Sequence, residues 1–277
     1  MRGQDIATVA AWAQTIGLGA LDLPQDFAQG ARACWEQDLR IGTVDAPRVP
    51  QLLSPDERVR EQAVNAFLQQ IEAMAKAGAQ RLFVCLVPED RTQPLAVSLA
   101  IFSETFPRLT AACEAAGVRI ALEGYPGPGP HYPTLGYTPE VWRRMFAAVP
   151  SPALGLCYDP SHLVRLGIDY LRVLEEFKAR IHHCHGKDTA LLPEAAYLYG
   201  NLVPALTEPA RYSGGAWRYT VPGDGLVNWR AVAFELEQAG YDGVISIELE
   251  DIRYWGSLAQ EQQGIVKSFR HLAQHFQ

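Results

Sequence analysis

Short apolar runs alternate with longer stretches of helical period from one end of this chain to the other, and that order leaves few folds open. The runs cover residues 20–23, 39–45, 81–87, 118–123, 153–159, 180–187 and 243–250; the helix-like stretches cover 6–15, 24–36, 55–76, 94–115, 139–147, 170–177 and 229–238. Strands joined in sequence by helices run parallel, because a parallel pair needs a crossover connection. Ser54-Pro55-Asp56-Glu57 reads as a capping box with proline at the first helical position, and Thr138-Pro139 repeats the cap-plus-proline start. Ala77-Gly78, Ala116-Gly117 and Ala239-Gly240 place glycine where helices end and the chain turns back.

A parallel sheet of this extent either closes into a barrel or stays open between two helical layers. The open form normally carries a glycine-rich phosphate turn after an early strand, and neither G-x-G-x-x-G nor G-x-x-x-x-G-K-[ST] occurs. The chain has 277 residues, 48% of them hydrophobic, close to the roughly 250 residues of a (β/α)8 barrel. The expectation is a single TIM-type (β/α)8 barrel domain over residues 1–277. Seven strands are readable rather than eight, and the chain opens on what reads as the first helix. The first strand is therefore expected to be missing or to lie upstream of Met1.

Charge narrows the partners. With 24 basic against 31 acidic residues and a net charge of -7, the surface is not built to displace counterions from nucleic acid or to sit on anionic lipid. No run approaches the apolar length of a membrane helix. The cysteines Cys34, Cys85, Cys113, Cys157 and Cys184 show no C-x-x-C spacing and mostly fall in apolar runs, which suits reduced thiols in a cytoplasm. The remaining prior is small-molecule chemistry.

The late strands say which. Side chains alternate along a strand. In 153–159 the face of Asp159 holds Ala153, Gly155 and Cys157, with Leu154, Leu156 and Tyr158 opposite. In 118–123 the face of Glu123 holds Arg119 and Ala121, and in 243–250 Val244, Ser246, Glu248 and Glu250 share a face. In 180–187 the inward set reads Ile181, His183, His185 and Lys187, with His182 toward the helices. If the bulky aliphatics pack on the helices, Glu123, Asp159, His185 and Glu248 converge on the carboxyl-terminal mouth. Three carboxylates in a low-dielectric cavity cannot all stay ionised without a cation. One divalent metal ion resolves the conflict; three oxygen donors and an imidazole favour Mn2+, Mg2+ or Co2+, with Zn2+ also allowed.

These residues resemble the sugar phosphate isomerase/epimerase superfamily, the xylose isomerase-like TIM barrels. Leu122-Glu123, Tyr158-Asp159-Pro160-Ser161-His162, His183-Cys184-His185-Gly186-Lys187-Asp188, Pro222-Gly223-Asp224-Gly225 and the run from Tyr241 to Asp251 follow its late motifs in order. The likeness is strong from about Arg119 onward and weak before it. The resemblance implies Glu123, Asp159, His185 and Glu248 as metal ligands, Glu123 and Glu248 as the proton-transfer pair, and His162, Lys187 and Arg218 as contacts to substrate oxygens. It implies an isomerase or epimerase of a sugar, sugar acid or cyclitol working through a metal-stabilised enediolate. A dehydratase on the same site is the near alternative; a metal-dependent phosphoester hydrolase and a non-catalytic ligand-binding barrel are more distant. Relatives that cleave DNA carry extra histidines where this chain reads Val44-Asp45-Ala46-Pro47 and Leu86-Val87-Pro88-Glu89, which weighs against the hydrolase.

Bland roles stand beside several of these. His162 reads equally as a helix cap or a support for the ligands, Lys187 and Asp188 as a local ion pair, and Glu250 as a rival to Glu248. The long segment 189–216, with Tyr197, Tyr199 and Tyr212, reads equally as a lid or as a contact between copies in a homo-oligomer.

Overall fold

In the computed structural model, residue 1 and residues 3–129 and 131–276 are described; Arg2, Pro130 and Gln277 lie outside the described residues. The early part runs α1 (Ile6–Thr15), β1 (Ala20–Leu23), α2 (Ala28–Glu36), β2 (Arg40–Asp45), α3 (Glu57–Lys76), β3 (Arg81–Val84) and α4 (Leu95–Ala116). It continues with β4 (Arg119–Glu123), α5 (Pro139–Ala148), β5 (Leu154–Tyr158), α6 (Pro160–Leu166), α7 (Tyr170–Phe177) and β6 (Ile181–Gly186). The last part is β7 (Asp188–Leu191), α8 (Pro193–Tyr199), β8 (Trp217–Thr220), α9 (Trp229–Gln238), β9 (Ile245–Ile247) and α10 (Leu258–Leu272). All seven expected strands are present, as are the seven expected helices, with ends shifted by a few residues.

The strands form one parallel sheet in the order β1-β2-β3-β4-β5-β6-β9. This is a nearly closed TIM-type barrel with one strand missing. Between the outer edges of β1 and β9 lies a cavity of about 780 Å³, lined by Trp12, Leu21, Ile245, Ile247, Phe269 and Leu272 among others. The gap thus falls where a strand preceding α1 would sit.

Local chemistry explains several boundaries. Thr138 caps α5 through a bond from the Val141 N–H, with Pro139 at the first turn. Gly78, Gly117 and Gly240 take positive φ at their helix ends. The start of α3 differs from expectation. Ser54 closes a short 3-10 turn over Val49–Leu53, its Oγ accepts from the Asp56 N–H, and Asp56 becomes the cap by accepting from the Arg58 N–H at 2.9 Å. With the Ser54 hydroxyl engaged by the Asp56 N–H, the capping role passes to the Asp56 carboxylate, which reaches the first turn of α3.

Strand β6 also departs from the alternation expected of 180–187. The register between β5 and β6 slips between Leu156 and Cys157: Leu156 faces Ile181, yet Cys157 faces His183. His182 is the extra residue of this bulge. Ile181 therefore shares the outward face of Leu156, and the His182 ring turns onto Gly155, on the inner face of β5, instead of toward the helices. A methyl group at Gly155 would lie 2.6 Å from that ring. His182 Nδ1 sits 2.8 Å from the Ile120 carbonyl, and Arg81 Nε donates to the His182 carbonyl at 2.8 Å.

The sequence reading did not resolve α6, α8, α10 or the antiparallel β7–β8 hairpin, which ties together the ends of the long segment after β6. That segment carries α8 and exposes Tyr197, Leu202 and Leu206. The five cysteines are free thiols, and no helix among the described residues is long and apolar enough to cross a membrane.

Candidate active site

Four neighbouring strands, β4, β5, β6 and β9, deliver the chemistry, because parallel strands of one sheet end at one mouth. Glu123 is the last residue of β4, Asp159 follows β5 and caps α6, His185 lies in β6, and Glu248 follows β9. One ligand atom from each of these four lies within 4.8 Å of the others. His185 Nδ1 is 2.9 Å from Glu123 Oε1, 3.2 Å from Glu248 Oε2 and 3.7 Å from Asp159 Oδ2. Glu123 and Asp159 are buried, whereas the Glu248 side chain is 36% exposed.

The acids at this mouth already have a cation among them, contrary to what the sequence leads one to expect. Lys187 is fully buried, and its Nζ lies 2.6 Å from Glu248 Oε2, 3.0 Å from Glu250 Oε2 and 3.1 Å from Asp159 Oδ2. An ammonium of the chain itself thus stands among the acids, so their crowding alone does not demand a metal. Burial works against the Lys187 charge, but Asp159, Glu248 and Glu250 outweigh it and push its pKa well above the usual lysine value. Burial likewise opposes ionisation of Glu123 and Asp159, yet His162 and His185 hold the Glu123 carboxyl below the usual range, and His162, Lys187 and His185 do the same for Asp159. Glu250 goes the other way: burial, reinforced by Glu248, raises it despite Lys187.

The residues present nonetheless fit a divalent ion. Asp159 Oδ1 accepts from the Ser161 N–H at 2.8 Å, but its buried Oδ2 makes no well-aligned hydrogen bond. That oxygen faces His185, His162 and Lys187 at 3.7, 3.4 and 3.1 Å. A carboxylate oxygen held this way, beside two further carboxylates and an imidazole, is a donor set for a hard or borderline cation.

His162 joins the group. Its Nε2 is 3.4 Å from Asp159 Oδ2, 3.6 Å from Glu123 Oε1 and 3.4 Å from Lys187 Nζ, while its Nδ1 is 2.6 Å from the Tyr219 hydroxyl. Arg165 donates to that hydroxyl at 2.6 Å and to the Gly127 carbonyl at 2.9 Å, and its guanidinium stacks 4.1 Å from the Trp217 ring. Tyr219 and Arg165 escape a sequence reading: one reaches the mouth only because β8 pairs with β7, and the other only because α6 forms directly after Asp159. Asp22 was also missed, although a lone acid inside the apolar run 20–23 was a signal.

Arg218 and Asp188 are placed elsewhere. Trp217 and Tyr219 share the mouth-facing side of β8, so Arg218 points away, with Nη1 3.7 Å from Asp251 Oδ1. Asp188, buried, accepts from the Thr189, Gly223 and Val227 N–H groups and from Trp229 Nε1, which braces the 222–229 turn and is no ion pair with Lys187.

Comparison with known proteins agrees with this architecture. A family model described as xylose isomerase-like TIM barrel matches residues 8–275. The YfiH protein of Bacillus subtilis (strain 168) is 36% identical over 149 residues, covering 52% of this chain and 44% of that protein. An inosose dehydratase of Geobacillus thermodenitrificans (strain NG80-2) is 32% identical over 134 residues, covering 48% of this chain and 41% of that protein. These matches span less than half the length of those relatives. Among solved structures, a xylose isomerase domain protein from Alicyclobacillus acidocaldarius superposes with a TM-score of 0.73 at 16% identity, covering 99% of this chain and 95% of that one. The 3-keto-D-glucoside 4-epimerase YcjR from E. coli superposes at 0.71 with 15% identity, covering 98% and 95%. At such identities the likeness establishes the fold.

Proposed function

The chain belongs to the xylose isomerase-like TIM barrel family, and from that premise we propose that it is a divalent-metal-dependent isomerase or epimerase of a sugar, sugar acid or cyclitol. The observation that carries this reading is the gathering of Glu123, Asp159, His185 and Glu248 at one mouth, with a buried Asp159 oxygen lacking a hydrogen bond. A divalent ion held by those four residues would withdraw electron density from a substrate carbonyl and ease loss of the proton on the neighbouring carbon.

The protein's own part is proton traffic. Glu123 and Glu248 flank His185 at 2.9 and 3.2 Å and approach the site from different strands. One carboxylate takes the proton from the carbon beside the carbonyl. Return of a proton to the adjacent carbon gives the aldose–ketose isomer, and return to the opposite face of the same carbon gives the epimer. His162 and Lys187 supply donors to substrate oxygens at the same mouth. The placement of Arg218 against Asp251 favours a supporting role over direct contact.

The inosose dehydratase relative supports a second reading, in which the same proton abstraction is followed by loss of hydroxide as water. The buried Lys187 ammonium would be the proton source for that departure.

Incubation of the metal-loaded protein with sugars, sugar acids and inososes in deuterated water separates these outcomes. Exchange of a carbon-bound hydrogen with isomer or epimer formation supports the first reading, and an unsaturated product supports the second. Glu123→Gln and Glu248→Gln are expected to lower turnover by about 10²- to 10⁴-fold. No exchange with any divalent metal across the panel, or unchanged turnover in both variants, overturns the proposal.

A further inference from the structure

Two residues before Asp159 and His185 along their strands, level with Glu123, lies a second cluster with different chemistry. Cys157 of β5 and His183 of β6 are register partners, both are buried, and one ligand atom each from Cys157, His183 and His185 falls within 4.8 Å of the others. The His183 and His185 rings meet edge to face with centroids 5.4 Å apart.

His183 is the informative member. Its Nε2 lies 3.2 Å from Asp22 Oδ2, and Asp22 is itself held by the Thr43 N–H, which donates to Oδ1 at 2.7 Å. A carboxylate on Nε2 keeps the ring proton there and leaves Nδ1 with a bare lone pair. His183 is 0% exposed, and that Nδ1 has no hydrogen-bond partner. A buried acceptor without a donor is costly in a protein interior. A carboxylate behind an imidazole whose other nitrogen is bare is also the arrangement that orients histidines toward metals.

We propose that Cys157, His183 and His185 form a second cation site, oriented by Asp22 and selective for thiophilic divalent ions such as Zn2+, Co2+ or Cd2+. On binding, the sulfur–metal bond forms as the Cys157 thiol gives its proton to solvent, with no change of oxidation state. The thiolate separates this site from the one above it: hard ions such as Mg2+ and Mn2+ prefer the carboxylates, and softer ones the sulfur. His185 belongs to both sets, so occupancy below alters the ligands available above.

Titration of the chelator-treated full chain with Co2+ tests this without any assay of turnover. The expected result is sulfur-to-cobalt charge-transfer absorption in the near ultraviolet, lost in Cys157→Ser and retained in the Glu123→Gln/Glu248→Gln double variant. Asp22→Asn is expected to weaken binding at this site by about 10- to 100-fold. Zinc-edge X-ray absorption of the unaltered protein, which needs no variant to fold, should show a sulfur neighbour at about 2.3 Å. Cobalt bound with no charge-transfer band, or a band that survives in Cys157→Ser, overturns this proposal while leaving the carboxylate site intact. Failure of every divalent ion to bind would overturn both readings.

Discussion

The mouth and the seam of this barrel are built in opposite ways. At the mouth, ionisable side chains from adjacent strands lie within hydrogen-bonding distance of one another, and Lys187 alone faces Asp159, Glu248 and Glu250. At the seam, β1 and β9 present outer edges to which no strand among the described residues bonds, and a void of about 780 Å³ is lined by apolar side chains such as Trp12, Leu21 and Phe269 together with scattered polar ones such as Arg40 and Glu237. Polar links still cross it, since Asp22 of β1 reaches His183 of β6 and bonds Ser246 of β9. Closure of the barrel is therefore not what assembles the ligand set. Contiguity of β4, β5, β6 and β9 is enough, although Glu248, which follows the edge strand β9, is more exposed than Glu123 or Asp159.

The sharpest way to break this contrast is to remove the mouth's internal cation. Lys187→Met keeps the bulk but leaves buried acids without their partner, and is expected to destabilise the protein by about 3–5 kcal/mol. Mn2+ at about a hundredfold its Kd should return about 2.7 kcal/mol by binding only the folded state. Urea unfolding with and without the ion measures both. An unchanged midpoint would mean that the acids are not held together by Lys187.

The bulge in β6, on the closed side of the sheet, offers a pH test. Burial holds His182 down at about 4, below its ordinary value of 6.5. Between those values the unfolded chain binds the proton and the native protein does not, so the contribution of His182 is fully present above pH 6.5 and is lost as pH falls toward 4. The whole window corresponds to about 3 kcal/mol. Thermal unfolding of His182→Gln should show a shallower fall in Tm across that range than the unaltered protein, and equal slopes would contradict the assignment.

The smallest expected difference compares two aromatic truncations. Phe67 is fully buried in α3, so Phe67→Ala should cost about 3–5 kcal/mol, as cavity formation in a packed core does. Phe269 already lines the void, and Phe269→Ala should cost about 1–2 kcal/mol less, because fewer packing partners are lost. Equal losses by chemical denaturation would mean that the seam is packed as well as the closed side.

How much of this was legible beforehand follows from the range of the forces involved. Glu123, Asp159, His185 and Glu248 could be placed together because strand alternation and parallel order are local rules applied several times over. Ile181 and His182 were misassigned because a one-residue bulge reverses alternation, and nothing within 180–187 announces it. Lys187 could be placed at the mouth, but its pairing with three acids depends on distances between strands far apart in the chain. Tyr219 and Arg165 required the β7–β8 hairpin and the immediate start of α6.

By itself the amino-acid order determined the alternation of strand and helix, the seven strands of the sheet, and which late strands end in ionisable groups, since each follows from residues within one turn or one pleat. Only the tertiary structure decided which cation faces the acids, that Asp22 lies behind His183, and that Arg218 turns away toward Asp251. These depend on register and on side chains meeting across the barrel, where a shift of one residue exchanges one face of a strand for the other.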